Sequence, residues 1–218
     1  MVKQQREQQE VGAVVWHEEK RELKLCGEPV LEVSYRWPAF EGKRFVWANR
    51  CYSRLVKLWK GQWERELYLR ACVDLAEKRE ASRPFIPWKA SLDGELTLAD
   101  EAYRSVVMAV RERHGDHRVL EYRWGDTWRL ADGSPERLQN CVPKGVGWKR
   151  RLCRALAEHL AGREDVCPDG DAGNKLRRLM EWDRFALTER ELILFLPQCA
   201  AAPAVEGAIR LSVPRTQV

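Results

Sequence analysis

Most of the signatures that mark catalytic or membrane-embedded chains are missing from this sequence. There is no CxxC pair, no glycine-rich phosphate or dinucleotide loop, and no GxSxG elbow. Zinc ribbons, nucleotide-binding cores and nucleophile-elbow hydrolases therefore have no local support. The longest clear apolar run, LILFL at 192–196, is far below the roughly 20 residues that span a bilayer. The opening MVKQQREQQE has no apolar core of the secretory kind, so the sequence reads as that of a cytoplasmic protein. The four histidines, at 17, 114, 117 and 159, are scattered, and neither a metal nor another cofactor is expected.

What is present describes a folded chain. Its 218 residues are 44% hydrophobic and 33% charged, which excludes disordered and fibrous classes. The seven cysteines are an odd count. They read as reduced thiols, several packed as small hydrophobes, which suits a reducing compartment. Basic residues number 38 against 33 acidic, a net charge of +5.

Hydrophobic periodicity orders the elements. Leu31, Val33, Tyr35 and Trp37 alternate with Glu32, Ser34 and Arg36, a half-buried strand over 30–37. Residues 13–25 form a weaker strand candidate before the turn residues at 27–29. From 44 to about 80, Phe45, Ala48, Tyr52, Leu55, Trp59 and Trp63 step by threes and fours, a long amphipathic helix with a kink expected near Gly61. Strands follow at 85–98, with Asp93-Gly94 as a hairpin turn or bulge, then at 103–110 and 118–124. His114-Gly115-Asp116-His117 makes the last two a hairpin. Gly125-Asp126 reads as a turn into a short segment at 127–130, and Ser134-Pro135-Glu136 as the start of a helical turn. Trp148, Leu152, Ala155, Leu156 and Leu160 give a second helix closed by Gly162. A loop at 162–173 and one or two helical turns at 175–182 come next, and strands at 185–187, 191–196 and 207–213 complete the chain. The short strand connections predict an α+β fold of antiparallel sheet, with one long N-terminal helix and a second C-terminal helix packed on it. The organisation expected is an N-terminal segment 1–29, a strand-plus-helix part 30–84, and a C-terminal part 85–218, the latter two packed as one unit.

Candidate sites are few. The DGDAGN run at 169–174 places Asn and Met where a calcium loop wants Gly and Glu, so it reads as an exposed acidic turn. Basic clusters at Lys149-Arg150-Arg151 and Arg177-Arg178, with ten tryptophans in the chain, raise nucleic-acid binding as an alternative. The modest net charge and interspersed acids weigh against it. Trp59, Trp63 and Trp148 lie on apolar stripes and read as core. Trp37, Trp88, Trp124 and Trp128, at strand ends, are candidates for the rim of a binding face. The turn Gly115-Asp116-His117 is the preferred ligand-binding candidate, with Trp124 and Trp128 as further candidates.

Several of these stretches resemble a known family in order. The C-terminal part is similar to the domain of unknown function in the extracellular portion of RsiV-type anti-sigma factors, which sense lysozyme. Gly115-Asp116-His117 looks like a shortened form of its glycine-glycine-small-histidine turn. WGDTWRLAD at 124–132 resembles its "tGxxLxLxDLF" segment, and the helix at 147–161 follows as it does there. FALTEREL at 185–192, Ala202-Pro203, Gly207 and Val213-Pro214 fall in register with its closing motif. Cys199, Ala200 and Ala204 stand where that motif carries aromatic and acidic residues. Tyr35-Arg36-Trp37-Pro38 and Ala48-Asn49-Arg50-Cys51-Tyr52 resemble the companion domain that precedes it, also found in peptidoglycan deacetylases. The resemblance implies a non-catalytic binding or sensing module of a bacterial cell, taking a protein or cell-wall-derived ligand. A basic nucleic-acid-binding protein is the first alternative and a carboxylate-dependent hydrolase the second.

Overall fold

The computed structural model describes residues 12–142, 147–161, 172–200 and 207–216. Strands β1 (Val14–Leu25) and β2 (Glu28–Phe40) lead through a short 3-10 turn (Lys43–Phe45) into helix α1 (Val46–Gly61). A π-helical segment (Gln62–Leu67) joins α1 to α2 (Tyr68–Glu80). Strands β3 (Trp88–Ala99), β4 (Tyr103–His114) and β5 (His117–Arg129) follow, then a 3-10 turn (Leu138–Asn140). Helices α3 (Trp148–Ala161) and α4 (Ala172–Leu179) precede β6 (Ala186–Leu187), β7 (Glu191–Leu196) and β8 (Ile209–Pro214). β1 to β5 make a five-stranded sheet in sequence order, and β6 to β8 a three-stranded one. The class is α+β with a long helix after the first hairpin.

One joint corrects the antiparallel expectation. β2 and β3 pair in parallel, from Leu31 opposite Trp88 to Tyr35 opposite Leu92. Parallel neighbours need a long crossover, which the helical run between them supplies. The short-connection argument failed there because that connection is the longest in the chain. Two short helices, α3 and α4, also stand where the sequence reads one helix and a further turn or two.

The chain divides into two compact units: Met1–Gly94 with Ala109–Glu121, and Glu95–Met108 with Tyr122–Val218. In the first, Cys26 (φ 51°) and Gly27 (φ 88°) close the β1–β2 hairpin, the paired positive φ of a type I′ turn. The helical run buries Ala48, Tyr52, Val56, Trp63, Leu67, Ala71 and Leu75. Each four-residue step overshoots the α-helical turn by about 40°. The π segment takes more residues per turn and rotates the stripe back, so Trp63 still stacks on Tyr35 of β2 at 5.4 Å. Asp93-Gly94 is no hairpin: β3 passes straight through, and the Gly94 carbonyl accepts a 2.6 Å bond from the Arg36 guanidinium.

In the second unit β7 is buried on both faces, which explains its unbroken apolar run. Leu192, Leu194 and Leu196 join Leu152, Leu156 and Leu160 of α3 and Ile209, Leu211 and Val213 of β8 in one core. Ile193 and Phe195 pack with Ala186 and Val107 on the other side. β5 also runs through Gly125-Asp126 without turning. A Cβ on Gly125 would lie 2.2 Å from the Phe185 carbonyl carbon and the Ala186 nitrogen, so this glycine serves a close backbone approach and not a bend. Buried Ser105 and Thr127, 3.0 Å apart, hold the same segment: Leu187 N–H donates to Ser105 Oγ at 2.7 Å, and Thr127 Oγ1 to the Phe185 carbonyl at 3.0 Å. The helical turn read at 134–136 begins instead at Leu138, because Pro135 is bridged to Trp128. Residues 162–171 and 201–206, including Asp169–Asp171, Cys167 and Ala202-Pro203, lie outside the described residues.

Candidate functional site

The β4–β5 hairpin closes on Gly115 and Asp116, as the sequence reads. Gly115 has φ 59°, the left-handed first position of a type II′ turn. A Cβ there would meet only ordinary contacts, Lys78 Nζ at 3.8 Å and Ile86 at 3.9 Å, so backbone conformation and not space selects glycine. Asp116 and His117 are exposed at the tip.

What holds the tip is an aromatic and carboxylate cluster within the first unit. His114, the last residue of β4, stacks flat on Trp88, with ring centroids 3.6 Å apart and planes 6° from parallel. The Trp88 indole N–H donates to Asp74 at 2.9 Å, and Lys78 pairs with the same carboxylate at 3.2 Å. Two residues before His114, buried Glu112 accepts the Trp63 indole N–H at 2.8 Å. Its other oxygen lies 3.8 Å from His114 Nε2. That nitrogen is buried without a hydrogen-bond partner. Burial lowers the His114 pKa below 6.5 and outweighs the opposing pull of Glu112, so the ring is held neutral near neutral pH.

The two candidate tryptophans are packed. Trp124 and Trp128 are each 4% exposed, so neither presents an open ring face. Trp124 stacks with Tyr122 at 5.2 Å, and its indole N–H donates to Asp126 at 2.9 Å. Arg184 bonds the same carboxylate at 2.6 Å, and Tyr122 donates to Glu181 at 2.8 Å. Burial, then the Glu181 carboxylate, push the Tyr122 hydroxyl up to about 12. Burial works against the Arg184 charge, yet Asp126 prevails and raises its pKa. The five candidates therefore divide: Gly115, Asp116 and His117 share one exposed turn, while Trp124 and Trp128 anchor the second unit. Trp88 is buried as well, as the support on which His114 rests.

Six cysteines are free among the described residues, Cys153 buried and Cys26 and Cys199 exposed. Burial pushes the Cys141 thiol up to about 12, which keeps it protonated and unreactive. No cluster of three or more metal-type side chains occurs among the described residues. A shallow depression of about 440 Å³ in the second unit is lined by Thr97, Thr188, Glu189, Arg190 and Glu191. Its Glu191 is engaged by Arg210 and Ser212, both at 3.4 Å. No described helix is long and apolar enough to cross a membrane. One signal the sequence reading passed over is charge segregation: α1 contains no acidic residue at all.

No family profile matches the chain, and no curated protein does. Solved structures do. The crystal structure of a DUF3298 family member from Bacteroides fragilis covers 94% of this chain and 92% of its own, with a TM-score of 0.60 at 12% identity. A DUF3298 family protein from Pseudomonas aeruginosa covers 93% and 89%, with a TM-score of 0.48 at 12% identity. The chain thus shares the fold of the Bacteroides protein, whose family is a domain of unknown function.

Proposed function

We propose that this chain is a non-catalytic binding or sensing module of a bacterial cell, comparable in role to the ligand-binding part of RsiV-type anti-sigma factors. It takes a protein or a cell-wall-derived ligand and works in the cytoplasm, where its free thiols stay reduced. The observation that carries this reading is the β4–β5 tip: exposed Asp116 and His117 sit on a turn whose base is clamped by the His114–Trp88 stack. A polar tip on a rigid base loses little conformational entropy when it meets a partner. Likeness of fold to the Bacteroides DUF3298 protein supports the reading at the level of architecture alone.

The test is calorimetric titration of the chain with a lysozyme and, separately, with soluble muropeptides. Saturable binding to one of them is expected. An Asp116→Ala/His117→Ala variant that keeps Gly115 is expected to bind roughly tenfold more weakly, an effect of about 1.4 kcal/mol. Equal affinity of the two proteins would remove the turn from the site, and no binding to either ligand class would defeat the reading.

A further inference from the structure

Between Glu41 and Glu64 the chain carries Lys43, Arg44, Arg50, Arg54, Lys57 and Lys60 and no carboxylate. Lys60 is committed to Glu19 and lies over the Tyr35 ring. Arg50, Arg54 and Lys57 are exposed and make no ion pair among the described residues. Large apolar side chains stand out from the same helix: Leu58 is 64% exposed, Trp47 55% and Val46 46%. At about 100° per residue, Trp47, Arg54 and Leu58 fall within about 40° of one another on the α1 wheel, with Arg50 and Lys57 flanking them on one side. The inner face of α1 is already used, since Ala48, Tyr52 and Val56 are buried.

We propose that the outer face of α1 is a docking surface for anionic lipid, laying this helix along a membrane surface. The pairing of chemistries selects that partner. Cations alone would suit any polyphosphate, but a nucleic-acid backbone gives Leu58 nothing to bury against. A lipid interface accepts both at once: headgroup phosphates meet Arg50, Arg54 and Lys57, and the acyl boundary takes Leu58 beside the Trp47 ring. With its inner face buried and its outer face exposed, α1 has the arrangement of a helix that can lie along an interface. This proposal stands apart from the β4–β5 turn and does not depend on the ligand read there.

The test is cosedimentation of the whole chain with phosphatidylcholine vesicles, alone or with about 30% phosphatidylglycerol. Binding is expected only with the anionic lipid, and should weaken roughly tenfold or more between about 50 mM and about 300 mM salt. Arg50→Glu/Arg54→Glu/Lys57→Glu is expected to weaken binding roughly tenfold or more. Arg83→Glu/Arg113→Glu/Arg137→Glu makes the same change in net charge at exposed positions elsewhere, and should bind within about twofold of the parent. If circular dichroism shows the first variant unfolded, the milder Arg54→Gln/Leu58→Ser takes its place, with a loss of roughly threefold or more expected. Equal binding to neutral vesicles, no binding to anionic ones, or equal loss in both triple variants would overturn the proposal. Retention of duplex DNA in place of vesicles would overturn it in favour of a nucleic-acid surface.

Discussion

At the residue scale the site depends on atoms whose partners come from distant positions in the chain. His114 makes the point through pH. Its folded pKa lies below 6.5 because burial disfavours the imidazolium, so the unfolded chain binds the proton first as pH drops. The stability owed to the neutral ring is fully present above the unfolded value and is lost as pH falls through the folded one. Melting curves between about pH 7.5 and pH 5 should therefore converge for wild type and His114→Gln, the wild type losing more on acidification. A parallel pair of curves would refute this. Gly125 gives a steric counterpart. A methyl group there meets backbone at 2.2 Å, which no rotamer change relieves, so Gly125→Ala should cost about 3 kcal/mol or more in urea unfolding. Glu112→Leu removes the acceptor of the buried Trp63 N–H. A loss of about 1–3 kcal/mol is expected by the same measurement. The turn itself was legible, because the polar run at 114–117 separates two strand patterns by a hairpin's length. Its support was not: Glu112 and His114 look like ordinary alternating residues until Trp63, Asp74 and Trp88 are brought beside them.

At the scale of elements, periodicity located the strands and the long helix well, since burial of one face imposes a period that composition cannot hide. It failed where a glycine had a second use. Gly125-Asp126 reads as a turn and Asp93-Gly94 as a hairpin turn or a bulge; both lie inside strands, where one admits a neighbouring backbone and the other presents its carbonyl to Arg36. The parallel β2–β3 pair escaped notice for a related reason. Strand direction is a property of the connection, and the pattern of side chains is the same either way. At Gly61, where the sequence reads a kink, α1 gives way to the π segment Gln62–Leu67, which rotates the buried stripe. The π segment absorbs one residue more than regular α-helix, so deleting exposed Gln62 should leave Ala71 and Leu75 on their buried face, whereas inserting an alanine after Gln62 should turn both about 100° away. The insertion should cost about 3 kcal/mol or more in urea unfolding, and clearly more than the deletion. Equal losses for the two would show that the π segment has no phasing role.

At the scale of the whole molecule, both compact units draw on β3, β4 and β5, so the boundary between them lies within strands and not in a linker. A fragment of residues 1–94 lacks Ala109–Glu121, and with it Glu112 for Trp63 and His114 for Trp88. Circular dichroism of that fragment should show no cooperative melt; a sharp transition would mean that the remaining contacts suffice. The parallel pairing of β2 with β3 also sets an order of events during synthesis. The β1–β2 hairpin closes through a two-residue turn, and can form as soon as it leaves the ribosome. Its far edge has no partner until the ribosome has passed Trp88, and at about 5–20 residues per second that leaves an interval of seconds. During it, the backbone of Leu31–Tyr35 is an unpaired edge and the Leu31, Val33 and Tyr35 side chains an uncovered apolar face. The helical run that follows is synthesised before β3 and packs on that face, as Trp63 does on Tyr35, so the apolar face can be shielded while the edge still waits for its partner.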